Sequence, residues 1–155
     1  MRKDRAERRE IKPDPVYDEV VVNRLINKIM LDGKKSLAEQ KVYKAMNQAA
    51  DEVDDDPVEV IKQALENIMP ALEVRSRRVG GSSYQVPIEV DENRKLSLAL
   101  RWFVEAVRSR GERNLEERIA GELLDAYNNS GGAVRTKEEV HRQAEANRAF
   151  AHYRW

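Results

Sequence analysis

The chain has 155 residues, with 28 basic and 28 acidic side chains and no cysteine. This length suits one domain with a core of several helices, and the lack of thiols excludes disulfides and thiolate metal sites. No apolar run reaches membrane-spanning length and the first residues are charged, so we expect a cytoplasmic protein with no membrane partner. Because the charges cancel, nucleic-acid binding would depend on where the basic residues lie.

Residues 1–13 form a charged segment without apolar periodicity. Basic side chains outnumber acidic ones here, and a segment of this kind is disordered alone but can order on a phosphate backbone. The alternative is a solvated terminus with no task. The cations are Arg2, Lys3, Arg5, Arg8, Arg9 and Lys12.

Three helices are predicted in residues 14–72, each with apolar residues at helical spacing. Asp14 followed by Pro15 predicts the start of the first helix, and Ser36 with Glu39 predicts a capping box at the start of the second. The apolar stripes should face a common core. Their members are Val22, Leu25, Ile26, Ile29, Met30, Ala38, Val42, Ala45, Met46, Ala49, Val53, Ile61, Leu65, Ile68 and Met69.

The turns between these helices carry charge of opposite sign. Lys34 and Lys35 follow Asp32-Gly33 at the first turn. Residues 51–56 are acidic, and Asp56 before Pro57 predicts the N-cap of the third helix. We therefore favour a solvated capping loop over a Mg²⁺ or Ca²⁺ site there.

Residues 73–90 carry the only convincing β signal. Apolar side chains alternate from Tyr84 to Val90, and Gly80–Ser83 supplies a turn before them, so the sequence predicts a hairpin with a free edge at Pro87. Its first arm is basic, which suits contact with an anionic groove; the alternative is a merely solvated arm. The basic side chains are Arg75, Arg77 and Arg78.

A fourth helix is predicted from residue 93 to residue 110. Arg94, Arg101 and Arg108 recur every seven residues and so share one face, beside Lys95 and Trp102. Arginines next to an aromatic ring suit phosphate contacts and stacking on a base or sugar. A solvated face with a half-buried tryptophan is the alternative.

Two further helices should complete the chain. Asn114 and Glu117 predict the start of a fifth helix, and Thr136 with Glu139 predicts a capping box at the start of a sixth. Side chains at spacings of four, three and four then share a face, although an arginine among them makes a metal or acid–base site a poor interpretation. They are His141, Glu145, Arg148 and His152.

The predicted fold is mainly α, with six helices in residues 14–72 and 91–155 and one protruding hairpin between the third and fourth, in one domain. With this order the chain resembles the bacterial-type small ribosomal subunit protein seven family. The resemblance lies in Lys12-Pro13-Asp14-Pro15, Asp32-Gly33-Lys34-Lys35-Ser36, Glu73-Val74-Arg75-Ser76-Arg77-Arg78-Val79-Gly80-Gly81, Tyr84-Gln85-Val86-Pro87, Leu100-Arg101-Trp102 and the run from Ala144 to Trp155.

The resemblance implies a structural RNA-binding protein without catalysis or cofactor. Family members bind the 3′ major domain of small-subunit ribosomal RNA (rRNA), nucleate head assembly, and place the hairpin near transfer RNA (tRNA) in the exit site and near the messenger RNA (mRNA) path. Ribosomal proteins number eleven and number nine are the implied neighbours. The expected rRNA-binding residues are Arg2, Lys3, Arg8, Arg9, Lys34, Lys35, Arg75, Arg77, Arg78, Arg94, Lys95, Arg101, Trp102, Arg108, Arg110, Arg135, Lys137 and Arg142. The residues expected near tRNA or mRNA are Arg77, Arg78, Val79, Gly80, Gly81, Ser82, Arg142, Arg148, Tyr153, Arg154 and Trp155.

The chain departs from the family in its charge, because family members are strongly basic. Asp91 and Glu92 stand where the family usually has Arg-Pro, and Thr136 replaces a usual lysine. A protein-interaction module on the same fold, with weakened RNA affinity, is therefore the alternative function. If RNA binding is kept, a neutral chain must separate its charges in space. We expect one continuous positive face made by Arg75, Arg77, Arg78, Arg94, Arg101 and Arg108, with residues 51–56 pointing away from it.

Overall fold

A computed structural model describes residues 4–154, so the predictions for Arg2, Lys3 and Trp155 lie outside the described residues. The chain is mainly helical with one two-stranded hairpin between the third and fourth helices, which confirms the predicted fold class. The elements are α1 Val20–Ile29, α2 Lys35–Val53, α3 Pro57–Ile68, β1 Leu72–Val79, β2 Ser82–Glu89, α4 Glu92–Ser109, α5 Leu115–Tyr127, α6 Gly131–Ala146 and a closing 3-10 helix Arg148–Tyr153.

The core lies where the apolar faces of the helices meet. Almost all of the stripe residues predicted for α1, α2 and α3 are buried, and α4 and α5 add their own inward faces. Burying such side chains contributes roughly 1.5–3 kcal/mol each, so this core fixes the directions of the polar faces. The bulkiest fully buried side chains are Phe103, Leu25, Ile26, Met46, Ile61, Leu65, Ile68, Ile119 and Leu123.

The hairpin forms as predicted. β1 and β2 pair antiparallel, with Val79 opposite Ser82 and Val74 opposite Pro87. Gly80 and Gly81 have φ values of 58° and 84°, which suits a two-residue turn of the kind that follows strand twist. No other strand occurs among residues 4–154, so both edges of this ribbon are free of strand partners.

The first helix, α1, begins later than predicted. α1 begins at Val20, and Asp14 caps a preceding turn: its buried carboxylate accepts hydrogen bonds from the backbone N–H groups of Val16, Tyr17 and Glu19. The carboxylate thus satisfies three donors of the turn, which keeps residues 15–19 out of the helix.

Both predicted capping boxes are wrong. Ser36 is the second residue of α2, which begins at Lys35 without a side-chain cap. Thr136 lies inside α6, where its hydroxyl donates to the Gly132 carbonyl at 3.0 Å. The N-terminal end of α6 is instead satisfied from α5, because Glu122 Oε1 accepts from the Ala133 N–H at 3.0 Å. A cap supplied by another helix leaves no local signature in the sequence.

Aspartates cap the N-terminal ends of α3 and α4. Asp56 accepts from the Val58 N–H at 2.9 Å, which confirms the predicted start of α3. Asp91 accepts from the Arg94 N–H at 2.9 Å and opens α4. None of the helices in residues 4–154 is long and apolar enough to span a membrane.

Candidate nucleic-acid interface

The exposed face of α4 presents a row of arginines over a rigid support. Arg101 and Arg108 are exposed, whereas Phe103 and Val107 on the opposite side of the helix are fully buried. Neither arginine has an ion-pair partner within residues 4–154. Both guanidinium groups are therefore held at a fixed spacing with their charge available for an anion.

α1 extends this row with Arg24 and Lys28, two cations that were not among the predicted interface residues. Arg24 Nη2 donates to Ser97 Oγ at 3.0 Å, and Ser97 lies one turn before Arg101 on α4. Lys28 follows Arg24 by one turn and lines the same shallow cleft. The signal for both was present: two cations four residues apart, directly beside the inward residues Leu25 and Ile29.

The N-terminal segment reaches this face because it is anchored at two points. Asn23 Nδ2 donates to the Lys12 carbonyl at 2.6 Å, and Ile11 lines the cleft beside Arg24. Arg8 and Arg9 precede this anchor and are exposed. The charged segment thus approaches the α1–α4 face, rather than leaving the protein at an unrelated position.

Asp14 holds this anchor in place. Its carboxylate also accepts from the Tyr43 hydroxyl of α2 at 3.1 Å. Burial would raise the pKa of Asp14, but hydrogen bonds from Tyr17, Glu19, Tyr43 and Val16 together lower it. Burial and the Asp14 hydrogen bond raise the pKa of Tyr43 to about 12. The pair is therefore a hydroxyl donating to a carboxylate at neutral pH.

Glu73 interrupts the continuous positive face that we expected. This buried carboxylate pairs with Arg75 Nη2 at 2.8 Å and with Arg94 Nε at 2.9 Å, so it neutralises charge at the base of the hairpin. The expectation is wrong at this point because Arg94 joins helix to hairpin. Charge on the hairpin is concentrated nearer the tip, where Arg78 is exposed opposite Ser83.

Arg77 lies on the other side of β1 and fixes the end of the chain. It donates to the Tyr153 carbonyl, while Tyr84, its partner across the strands, packs on Phe150 and Tyr153 with ring centroids 5.2 and 4.8 Å away. The 3-10 helix therefore covers one face of the hairpin. Arg154 follows it and is exposed.

Trp102 and Arg110 are both engaged within the protein. Trp102 is only 7% exposed, so most of its ring packs in the core and little of it is open to a base. Arg110 is surrounded by carboxylates, with Nη1 2.9 Å from Glu122 and 2.8 Å from Asp125 and with Nη2 2.7 Å from Glu112. The Glu112 hydrogen bond leads the effects that raise the pKa of Arg110. This arginine is a structural cation joining α4, α5 and their loop.

Cations at the α1–α2 turn and on α6 have other surroundings. Lys34 and Lys35 are exposed at the N-terminal end of α2, which has no acidic residue in its first turn and no side-chain cap. Because the N-terminal end of a helix is itself partly positive, two lysines there are unfavourable unless an anion is bound. On α6, Arg135 is exposed, Lys137 is half-buried and Arg142 pairs with Glu139. Arg148, just after this helix, pairs with Glu145 at 3.0 Å. On α4, Lys95 pairs with Glu92 at 3.2 Å.

His141 has a structural task. Its Nε2 accepts from the Ala71 N–H at 3.0 Å, and burial together with the charge of Lys137 lowers its pKa. Its ring therefore stays neutral at pH 7 and supports the entry to β1. Within residues 4–154 no group of three or more histidine, aspartate or glutamate side chains is arranged to hold a metal ion.

The acidic residues 51–56 are used within the protein. Asp54 ends α2 with a left-handed backbone at φ 51°, and Asp55 Oδ2 accepts from the Tyr127 hydroxyl of α5 at 3.0 Å. Together with the Asp56 cap, these roles make residues 54–56 a connecting loop at the α2–α3–α5 corner, directly after Asp51 and Glu52 in the last turn of α2.

Comparison with known proteins gives one consistent result. Residues 1–148 match the family described as ribosomal protein S7p/S5e. The chain is similar to "small ribosomal subunit protein uS7" of Thermotoga neapolitana, at 58% identity over all of both chains, and of Natranaerobius thermophilus, at 54% over 99% of both. The protein of the same name from Lactococcus lactis is 56% identical over all of both chains.

Proposed function

This chain belongs to the ribosomal protein S7p/S5e family, and from that membership we propose that it is a structural, non-catalytic constituent of the small ribosomal subunit that binds the 3′ major domain of its rRNA and nucleates head assembly. The observation that carries this proposal is the row Arg101 and Arg108 on α4, extended by Arg24 and Lys28 of α1. A neutral chain can bind a polyanion only through a local concentration of this kind.

Lys34 and Lys35 supply a second contact of a different kind. α2 begins without a side-chain cap, and this helix end together with the two exposed ammonium groups makes a site suited to one phosphate. Because this site is fixed at a helix end, it would set the orientation of the RNA on the α1–α4 face, while Arg8 and Arg9 add contacts without a fixed geometry.

The hairpin and the chain end form the proposed contact region for tRNA in the exit site and for mRNA. Arg78 and the turn Val79–Ser82 extend beyond the part of the hairpin that the 3-10 helix covers, and Arg142, Arg148 and Arg154 are exposed at the end of the chain. Ribosomal proteins number eleven and number nine are the proposed protein neighbours, and the ribosome in the cytoplasm is the proposed location.

The neutral charge supports a second candidate, a protein-interaction module with little RNA affinity. Several cations of the expected interface are neutralised by carboxylates, among them Arg75, Arg94 and Arg110. The two candidates make different predictions for salt dependence, since only phosphate contacts release counterions.

Binding of the whole chain to an RNA fragment of the 3′ major domain, measured by filter retention from about 50 to 400 mM salt, tests the proposal. With four to six phosphate contacts we expect a slope of log affinity against log salt of roughly −4 to −5. Lys34→Glu should reduce the slope by about one, whereas Arg113→Glu changes charge equally outside the proposed face, at an exposed position without an ion-pair partner within residues 4–154, and should change the slope little. A flat salt profile would favour the interaction module.

A further inference from the structure

A cleft of about 680 Å³ lies between α1, α3 and the N-terminal end of α4, and none of the cations of the proposed RNA face lines it except Lys95. Its walls are mainly apolar, and Val20 at its mouth is 42% exposed. Met69 is half-buried there, and its flexible thioether adapts to side chains of different shape. The apolar walls are Val20, Val21, Leu65, Met69 and Leu96.

Carboxylates dominate the rim of this cleft. Glu19 pairs with Lys62 and Glu92 with Lys95, both at 3.2 Å. Asp18 and Glu66 remain without an ion-pair partner in the described part of the chain. An RNA strand here would place phosphates against these carboxylates, so the rim repels nucleic acid and attracts cations.

The C-terminal end of α3 also favours a bound cation at this cleft. Glu66 lies in the last turn of α3, and that turn contains no basic residue. A carboxylate beside the carbonyl end of a helix is unfavourable, because both are negative. An external lysine or arginine would pair with Glu66 and with the free carbonyl groups of this end at once.

We propose that this cleft binds a basic segment of a neighbouring protein, with one bulky apolar side chain between α1 and α3 and flanking lysine or arginine side chains on Asp18 and Glu66. The inference rests on the proposed function, because proteins packed around rRNA need basic extensions to approach it. It assigns the chain a protein-docking surface that is lined by residues other than the arginines of α4.

The test uses the whole ¹⁵N-labelled chain and a synthetic peptide, Lys-Arg-Leu-Lys-Phe-Arg-Lys. We expect saturable shifts of the backbone amides of Val21, Met69 and Leu96. Glu66→Lys should weaken binding roughly three- to tenfold, from the loss of one attraction and the gain of one repulsion. Glu138→Lys, an exposed carboxylate on α6 with the same change in net charge, should weaken it less than about twofold.

Stability separates this effect from misfolding. Glu66→Lys should raise the melting temperature by roughly 1–4 °C, because it removes the unfavourable charge at the end of α3, even as it weakens the peptide complex. Equal peptide affinity for the Glu66 and Glu138 variants would overturn the proposal. Undiminished binding of a peptide with serine in place of leucine and phenylalanine would also overturn it.

Two parallel measurements complete the test. Sedimentation of the free chain should show a monomer, and a dimer that Glu66→Lys abolishes would assign the cleft to a second copy and overturn the proposal. RNA affinity should be the same for the two variants. If the unmodified chain binds the peptide but does not bind the RNA fragment, the proposed function is refuted and the peptide site is supported independently of it.

Discussion

Tyr84 of β2 and Tyr153 of the 3-10 helix lie with ring centroids 4.8 Å apart, and Phe150 packs on Tyr84 at 5.2 Å. Arg77 of β1 donates to the carbonyl of Tyr153. A two-stranded ribbon is marginal by itself, so its direction depends on what it leans on. The chain end and the hairpin are therefore one structural unit, in which residues far apart in sequence set the position of the tip.

Removing one ring tests this dependence. Tyr153→Ala should lower the free energy of unfolding by about 1–2 kcal/mol, from lost aromatic contact and apolar burial. Hydrogen exchange of the β1 and β2 amides should accelerate more than that of α2. Arg148→Ala on the same 3-10 helix removes only a surface ion pair and should leave both measurements nearly unchanged. Equal protection of the hairpin amides in both variants would contradict the claim that the chain end supports the hairpin.

We expect Asp14 to make the free energy of unfolding depend on pH in the acidic range. Its folded pKa lies below the ordinary value of 3.8, so its contribution is fully present above that value and is lost as pH falls through the lower folded pKa. Asp14→Asn should lower stability at pH 7 by roughly 1–3 kcal/mol and leave a shallower acid limb. Denaturant unfolding of both proteins from pH 7 to pH 2 measures this. Asp51→Asn, at an exposed site, is the control.

A double-mutant cycle can separate the charge at Arg110 from its packing. Glu122 is 1% exposed, so Arg110→Met should cost about 3–5 kcal/mol by leaving that carboxylate buried and unpaired. Adding Glu122→Gln should recover at least about 1 kcal/mol, because the amide still accepts from Ala133 without a buried charge. Glu112→Gln, at the more accessible edge of the cluster, should cost much less than Arg110→Met. If the costs of Arg110→Met and Glu122→Gln, each measured alone, add up to the cost of the double variant, the pair is not coupled.

The hairpin and the α3 start could be predicted because their causes are local. Gly80-Gly81 satisfies a turn with positive φ, and Asp56-Pro57 caps and opens a helix within three residues. The helix starts at α1 and α6 could not, since long-range contacts decide them. Asp14 accepts a hydrogen bond from Tyr43 of α2, which stabilises the turn before α1, and the N-terminal end of α6 is capped by Glu122 of α5.

The same limit applies to the site. Spacing of seven predicted that Arg101 and Arg108 share an exposed face. It could not predict that Arg94 pairs with Glu73, which is 21 residues distant, or that Arg110 meets carboxylates on α5. Arg24 was missed because its link to Ser97 spans 73 residues. Sequence periodicity gives the face of one helix, whereas charge neutralisation depends on how helices meet.

The α4 row should carry the main RNA contacts. Arg101→Ala with Arg108→Ala should lower the slope of log affinity against log salt by about two and impair incorporation into the small subunit. The melting temperature should hardly change, since neither side chain has an ion-pair partner within residues 4–154. Arg113→Ala with Lys44→Ala removes the same charge from exposed positions elsewhere, together with one surface ion pair between Lys44 and Glu116 at 3.6 Å, and is the control for net charge. Equal RNA affinity of the two double variants would place the main contacts outside α4.

The hairpin tip should act after rRNA binding, in contact with tRNA. Arg78 with Ser83 and Val79 with Ser82 are the two facing pairs beside the Gly80-Gly81 turn, so deleting these four residues shortens the hairpin by two pairs and leaves Arg77 opposite Tyr84 with the two-glycine turn intact. Removing two pairs keeps the alternation of hydrogen-bonded and non-hydrogen-bonded pairs along the ladder, and the half-buried Val79 is the only apolar side chain lost. We therefore expect a loss of stability under about 1 kcal/mol and unchanged affinity for the 3′ major domain fragment, because the rigid α4 row is untouched.

Reconstituted small subunits carrying the shortened hairpin should release tRNA from the exit site faster than subunits with Arg78→Lys, which keeps both length and charge. Loss of rRNA affinity with normal tRNA release would show that the tip and the α4 row have the opposite roles.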